Sequence, residues 1–384
     1  MSRTALVLGA GLGGLVVAEN LRKLLPRADR VVVVDRAAEH FFPPSLLWLL
    51  VGEREVGDFS RPLGRLASRG IEYRQGSVTR IEPATRQVGI DGQALSADAL
   101  VIALGAEYAP ETVPGLAQAG LNLYTVEGAT AARDALGAFS GGRIVVLTAA
   151  PLYKCPAAPY EAALLVEDFL RRRRGICDAA EIEFFAAEPQ PMVVAGAEAG
   201  AAVRGMLEAR GISYRPEHQV KSVDPVERCI EFANGVSADY DLLLYVPPHR
   251  APSVAREAGL TNEAGWIPVD RHTLQTRFEQ VFAIGDITTI PLKMGRPLPK
   301  AGVFAHGQAE TVAHNIAHAW TGRGAPRIFD GHGMCFIEAG NGRAGIGKGN
   351  FYAEPVPQVD VRGPSLMWHA GKILYEKYWL FRRF

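Results

Sequence analysis

The chain is poor in cysteine, has no long apolar run and carries no surplus of either charge. Four cysteines, at 155, 177, 229 and 335, are scattered over 384 residues. They form no CxxC and no ligand-like spacing, which argues against zinc modules and a disulfide framework, so no metal is expected. Cys177 and Cys229 lie in no motif and read as inert small hydrophobes. No stretch of about 18 apolar residues is present, so no helix is expected to span a bilayer. The best local run, residues 46–51, is far shorter. Basic and acidic residues number 41 each, a balance that gives nucleic acid nothing to hold. The N-terminus enters an apolar strand at once and shows no secretory leader, which points to the cytoplasmic side. Hydrophobic residues at 48%, with Gly 41 and Pro 25, describe a globular chain of two or three domains with many tight turns.

What the chain does have is a dinucleotide fingerprint in full context. Residues 4–8 read as a buried strand, Gly9-Ala10-Gly11-Leu12-Gly13-Gly14 follows, and 16–25 reads as a helix. A second buried strand, 31–34, closes on Asp35. In this GxGxxG, Gly9 permits the tight turn, Gly11 lets the backbone approach a pyrophosphate, and Gly14 lets helix and strand pack closely. The helix N-terminus favours the anion, and Asp35 is placed for ribose hydroxyls. Two later apolar strands end at Gly105 and at Gly285-Asp286. The three segments in this order resemble the FAD-binding domain of the disulfide-reductase-like flavoproteins. That resemblance implies FAD, with the Asp286 carboxylate on the ribityl chain.

A second glycine cradle is missing. Members of that superfamily that draw electrons from NADH repeat GxGxxG after the first strand of a second domain. Here residues 143–148 supply the strand, but the turn holds Pro151, Pro156 and Pro159 and no glycine. Proline has no N–H for a phosphate, and side chains keep the backbone at a distance. A helix over 160–173 and strands over 181–186 and up to Tyr245 keep the fold, so NADH is not the expected reductant. In the turn stands Cys155, beside Lys154 and ahead of a helix N-terminus, and both features lower a thiol pKa. Glu161 falls in the first helical turns, where it either relays a proton or merely suits the helix dipole. Cys335 comes far later, in His332-Gly-Met-Cys335-Phe336-Ile-Glu338.

These segments resemble the sulfide:quinone oxidoreductases, relatives of the flavin subunit of flavocytochrome c sulfide dehydrogenase. The resemblance is carried by Lys154-Cys155-Pro156, Pro159-Tyr160-Glu161, Pro247-Pro248-His249-Arg250 and the stretch from Asn262 through Trp266 to Asp270. Pro299-Lys300-Ala301-Gly302 and Met334-Cys335-Phe336 complete it, and it runs over nearly the whole chain in order. It implies an α/β protein with two Rossmann-like dinucleotide-binding domains. Residues 1–108 and 252–325 would form the FAD-binding domain, and 109–251 a second domain whose degenerate nucleotide site carries Cys155. Residues 326–384 would form a redox-cysteine region that also docks quinone and membrane. The resemblance further implies that Cys155 and Cys335 are a redox pair beside the isoalloxazine. Sulfide attacks their disulfide, a persulfide forms and two electrons reach FAD. Lys300, at the start of a helix over 301–320, would stabilise negative charge on reduced flavin. Phe336 would lie against the quinone ring, with Phe42 in the same pocket.

Two departures refine that reading. Many bacterial members carry a third cysteine where this chain has residues 121–127, and here Tyr124 stands without a thiol, as in a two-cysteine type. The segment 41–45 lacks the cysteine through which the flavocytochrome subunit attaches its flavin, so FAD is expected to be noncovalent. Residues 365–384 set aromatic and apolar side chains at helical spacing with Lys372, Lys377, Arg382 and Arg383. That suits an interfacial helix with its cations at lipid headgroups, hence peripheral attachment to the cytoplasmic face. The expected reaction is oxidation of sulfide to sulfane sulfur or polysulfide with electrons passed to a membrane quinone. The alternatives are a type II NADH:quinone oxidoreductase relative and a non-catalytic FAD-binding redox sensor. The oligomeric state is left open, a homo-oligomer included.

Overall fold

A computed structural model describes residues 2–384. The chain starts with β1 (Thr4–Leu8), α1 (Leu12–Leu24), β2 (Arg30–Asp35), the short α2 (Leu46–Leu50), β3 (Glu72–Gln75) and β4 (Ala99–Ile102). Next come β5 (Leu121–Asn122), β6 (Gly142–Thr148), α3 (Ala158–Asp168), β7 (Ala180–Ala186), α4 (Ala197–Glu208), β8 (Ser213–Arg215) and β9 (Leu242–Val246). The chain then returns through β10 (Val281–Ala283) and α5 (Gly302–Thr321). It ends in β11 (His332–Glu338), β12 (Ala344–Asn350), β13 (Gln358–Ser365) and α6 (Leu366–Arg383).

Strand composition dictates the layering. The four valines of β2 are all buried, the mark of a parallel strand covered on both faces. The first sheet is parallel in the order β10-β4-β1-β2-β3. Because β10 returns beside β4, the Gly285-Asp286 turn lies with the turns after β1 and β4 at the C-terminal edge of the sheet. Open α/β sheets bind ligands at that edge. The second sheet is also parallel, β5-β9-β6-β7-β8, and the Cys155 turn leaves the C-terminal end of β6. The third, β11-β12-β13, is antiparallel and sets Cys335 opposite Gly347.

Sequence spacing starts the first helix at residue 16, whereas α1 starts at Leu12, with Gly13 and Gly14 wound into its first turn. Those glycines are there for space. A Cβ on Gly14 would stand 1.9 Å from the Gly9 carbonyl oxygen. Gly9 itself takes φ +101°, and a Cβ there would meet the Ala103 carbonyl at 2.4 Å.

The C-terminal helix divides its charges in a way its sequence does not announce. Lys372, Glu376, Trp379, Leu380 and Arg383 form a buried stripe, while Met367, Leu374, Tyr378 and Phe381 are exposed. Lys372 and Arg383, expected among the headgroup-facing cations, are therefore inside, and only Lys377 and Arg382 remain outside. The reason is that buried carboxylates await them. Arg383 meets Glu19 of α1 at 2.5 Å and lies 3.9 Å above the Trp379 ring. Glu376 accepts from Ser45 at 2.6 Å and pairs with Arg54 at 3.0 Å. Trp379, 1% exposed, packs on Phe42 and donates its indole N–H to Nε2 of His40 at 3.1 Å. That fixes the His40 proton on Nδ1, which donates to the Ala10 carbonyl at 3.0 Å. Burial holds His40 neutral, its pKa lowered to about 4. The last helix thus reaches the nucleotide loop through one imidazole. Trp379→Ala should destabilise the protein by about 3–5 kcal/mol, read from chemical denaturation.

Candidate active site

The three sheets enclose one cavity of about 890 Å³, within the cofactor-sized range of roughly 300–1,000 Å³. Gly9, Gly11, Asp35, Gly105, Gly285 and Asp286 all lie on its wall, and Gly14 stands behind it as a packing residue. These residues fit a dinucleotide. Nothing lies within 4 Å of where a Cβ on Gly11 would stand, and this N-cap gives the first-turn N–H groups of α1 no side-chain partner. That is an anion site in waiting. Asp35 spends one lone pair of each oxygen on backbone, accepting from Ala10 N at 2.6 Å and Ala37 N at 2.9 Å. Each oxygen keeps further acceptor capacity toward the cavity.

Lys300 lies on the same wall but its ammonium is already engaged. It donates to the carbonyls of Asp286 at 2.7 Å and Thr288 at 3.0 Å and sits 3.3 Å from the centre of the Trp266 ring. Burial lowers its pKa to about 7, with Asp286 opposing. Its backbone does the joining, because the Cys155 N–H donates to the Lys300 carbonyl at 2.6 Å.

Cys155 and Cys335, both free, reach the cavity from different sheets. The ionisation of Cys155 runs opposite to the expectation from sequence. Burial raises the Cys155 pKa, and charge on Cys335 and Glu161 raises it further. Cys335 is pushed up to about 12, first by burial and then by Glu161, with Lys372 opposing. Lys154 is turned over the Tyr108 ring at 4.8 Å, and the Ala158 N–H at the start of α3, which meets the Cys155 carbonyl at 2.9 Å, lowers the thiol pKa by less than burial raises it. Cys155 holds a left-handed φ of +50°, and its turn is clamped by the Tyr124 hydroxyl, which donates to the Lys154 carbonyl at 2.8 Å and the Cys155 carbonyl at 3.2 Å. Tyr124, noted in the sequence for the thiol it lacks, is thus a support for the thiol that is present.

Glu161 does not cap its own helix. Its carboxylate accepts from the Glu338 N–H at 2.9 Å and from Lys372 at 2.5 Å, tying α3 to β11 and α6. Burial pushes the Glu161 carboxyl up, with Lys372 opposing. Burial also works against the Lys372 charge, but Glu161 and Glu338 outweigh it and raise its pKa. Glu338 lies 3.7 Å from Lys372 and pairs with His369 at 3.0 Å. Sequence reasoning missed Lys372, Glu338 and His369 as site residues. The available signal was that Lys372 and Glu376 share the helical face of Trp379 and Leu380, so charges there had to be paired.

Phe336 and Phe42, the expected quinone-side aromatics, both line the cavity and both meet α6. Phe42 packs edge-on against Tyr375 at 5.8 Å, and Gly371 brings the helix backbone onto the Phe336 ring. In the second sheet Glu188, just beyond β7, takes the place that Asp35 holds after β2. It is already engaged by three hydroxyls, accepting from Tyr153, from Tyr160 at 2.7 Å and from Thr148 at 3.0 Å.

Residues 3–319 match the pyridine nucleotide-disulphide oxidoreductase family, and the chain belongs to that family. Within it, the sulfide-quinone reductase of Aquifex aeolicus (strain VF5) is 28% identical, with 100% of this chain and 91% of that protein covered. The mitochondrial sulfide:quinone oxidoreductase of Mus musculus is 26% identical over 91% of this chain and 79% of its own. The X-ray structure of the Aquifex aeolicus sulfide:quinone oxidoreductase superposes with a TM-score of 0.89 at 24% identity, covering 100% of this chain and 91% of that one.

Glu161→Gln removes a negative neighbour of both thiols and leaves Lys372 with Glu338 as its remaining carboxylate partner. The Cys335 thiol should then titrate well below 12, followed by ultraviolet thiolate absorbance against pH.

Proposed function

We propose that the protein oxidises sulfide and passes the electrons to a quinone, with FAD held noncovalently as the carrier. One observation supports this above the others: two cysteines from separate sheets share a cavity with a complete dinucleotide loop, while the second loop has lost its cradle. When bound, FAD supplies two-electron acceptance. Gly9, Gly11 and the α1 N-terminus would hold its pyrophosphate, Asp35 its ribose, and Gly105 and Asp286 the remainder. Lys300 would set the charge balance at the cavity floor.

The chain's own chemistry falls to Cys155 and Cys335. In the oxidised protein they form a disulfide, and hydrosulfide attacks one sulfur. That sulfur becomes a persulfide as the sulfur–sulfur bond between the cysteines breaks, and the other cysteine leaves as thiolate. Lys372 is the cation, and Glu161 the carboxyl, whose charges act on both thiols and would meet that charge. Phe336 and Phe42 would flank the quinone. The domain limits 1–108 with 252–325, 109–251 and 326–384 belong to the same reading.

The NADH-oxidising alternative meets a turn built of prolines and a Glu188 already occupied by hydroxyls. A redox sensor would keep the fold and the thiols but would not turn over. An anaerobic titration separates these readings. Sulfide should bleach the bound flavin and NADH should not, whereas Cys335→Ser should stay yellow with its flavin still bound. Turnover retained by Cys335→Ser would overturn the cysteine pair.

No helix among the described residues is long and apolar enough to cross a membrane. The exposed Met367, Leu374, Tyr378 and Phe381, with Lys377 and Arg382 beside them, fit docking in the lipid interface. The double variant Leu374→Glu, Phe381→Glu should leave the flavin spectrum intact and lose most vesicle binding in flotation assays. Unchanged flotation would count against docking by this face.

A further inference from the structure

His369 stands on α6 one turn before Lys372, its side chain 21% exposed. Its Nδ1 lies 3.0 Å from one Glu338 oxygen, and the other Glu338 oxygen is 3.7 Å from the Lys372 ammonium. Lys372 in turn donates to Glu161 at 2.5 Å. Lys372 and Glu161 line the cavity, and the charges of both act on Cys335. Four ionisable side chains therefore run in line from the protein surface to the thiols.

The line has an unfilled charge. Glu161 and Glu338 are 3% and 1% exposed, and Lys372 supplies a single positive charge between them. Buried carboxylates need partners, and a protonated His369 supplies the missing one. The charged groups facing its ring are Glu338 on β11, Glu53 just past α2, and Lys372 on its own helix, while Trp48 stands edge-on at 6.3 Å. The hydrogen bond to Glu338 raises the His369 pKa above its ordinary 6.5, and burial and then Lys372 oppose this.

The reaction supplies the demand. Written with all atoms and electrons, hydrosulfide, one proton and quinone give sulfane sulfur and quinol. Hydrosulfide brings one of the two protons that quinol needs, so each turnover takes the second from water. We propose that His369 is the entrance of a path, continuing through Glu338, Lys372 and Glu161, that delivers this solvent proton to the cavity. The proposal rests on the sulfide and quinone reading above. His369 acts through Glu338 and touches no reacting atom, so it is a relay residue rather than a catalytic one.

The sign follows from the raised pKa. His369 loses its proton as pH rises through a value above its ordinary 6.5, so turnover should fall along that alkaline limb. The test is steady-state turnover of sulfide with a short-chain quinone, run against pH for the wild type and His369→Gln. Expected are a loss on the order of 100-fold at neutral pH, disappearance of the alkaline limb, and recovery when imidazole is added to the buffer. Anaerobic bleaching of the flavin by sulfide takes its proton from hydrosulfide itself and should stay at the wild-type rate. A wild-type rate and pH profile in His369→Gln would overturn the path, as would a loss that imidazole does not rescue. A wild-type protein that sulfide fails to bleach would overturn the functional reading instead, and the path along with it.

Discussion

A buried ion pair, Glu161 with Lys372, joins the helix behind the Cys155 turn to the helix that ends the chain. Taking two ions out of water costs several kcal/mol each after relaxation, so neither charge is tolerable alone. Losing one partner of such a pair typically costs about 3–5 kcal/mol. The pair also fixes a third element, since the same Glu161 oxygen that receives Lys372 receives the Glu338 N–H. Strand β11, which carries Cys335, is thereby held in register with the turn that carries Cys155. That both cysteines face one cavity follows from where these two charges can be neutralised. α6 cannot move off the body without stranding Glu161 and Glu376, and its exposed face can be apolar because the inner face is secured by charge.

The same pair governs the thiols electrostatically. Burial and Glu161 disfavour a thiolate on both cysteines, and Lys372 is the one opposing charge that acts on both. A site arranged this way leaves the attacking charge to the incoming sulfide, since a neutral thiol is a weak nucleophile. Burial, usually read as protection of a cysteine, here makes charge on either thiol costly unless Lys372 meets it.

Much of the fold was legible in the sequence because its signals are local. The apolar strands β1, β2, β4 and β6, the glycine turn and the Gly285-Asp286 end each announce themselves within a few residues. The cysteine pair was legible only through resemblance, since nothing in the spacing of Cys155 and Cys335 says that two sheets bring them together. Two readings failed for one reason. Lys154 beside Cys155 in sequence does not mean an ammonium beside the sulfur, because a neighbouring side chain points wherever Tyr108 offers a better surface. Lys372 and Arg383 looked like headgroup cations because the carboxylates they meet, Glu161, Glu338 and Glu19, are remote in sequence. Charge pairing across long separations is decided by packing, and periodicity does not record it.

The two nucleotide-type turns show how one scaffold serves different ends. Both follow a parallel strand and precede a helix, and both place an acid after the next strand, Asp35 in one and Glu188 in the other. Around the first, glycines withdraw side chains so that backbone N–H groups meet a phosphate. Around the second, Tyr153 and Tyr160 fill the space and consume the acid, while Tyr124 clamps the turn from the other side. A turn that must hold a thiol in one place gains from the rigidity of proline and from tyrosine hydroxyls, which are the features that exclude a dinucleotide. The absence of a glycine cradle and the fixing of the Cys155 turn are therefore one structural feature, and glycines in this turn would open its backbone at the expense of that rigidity.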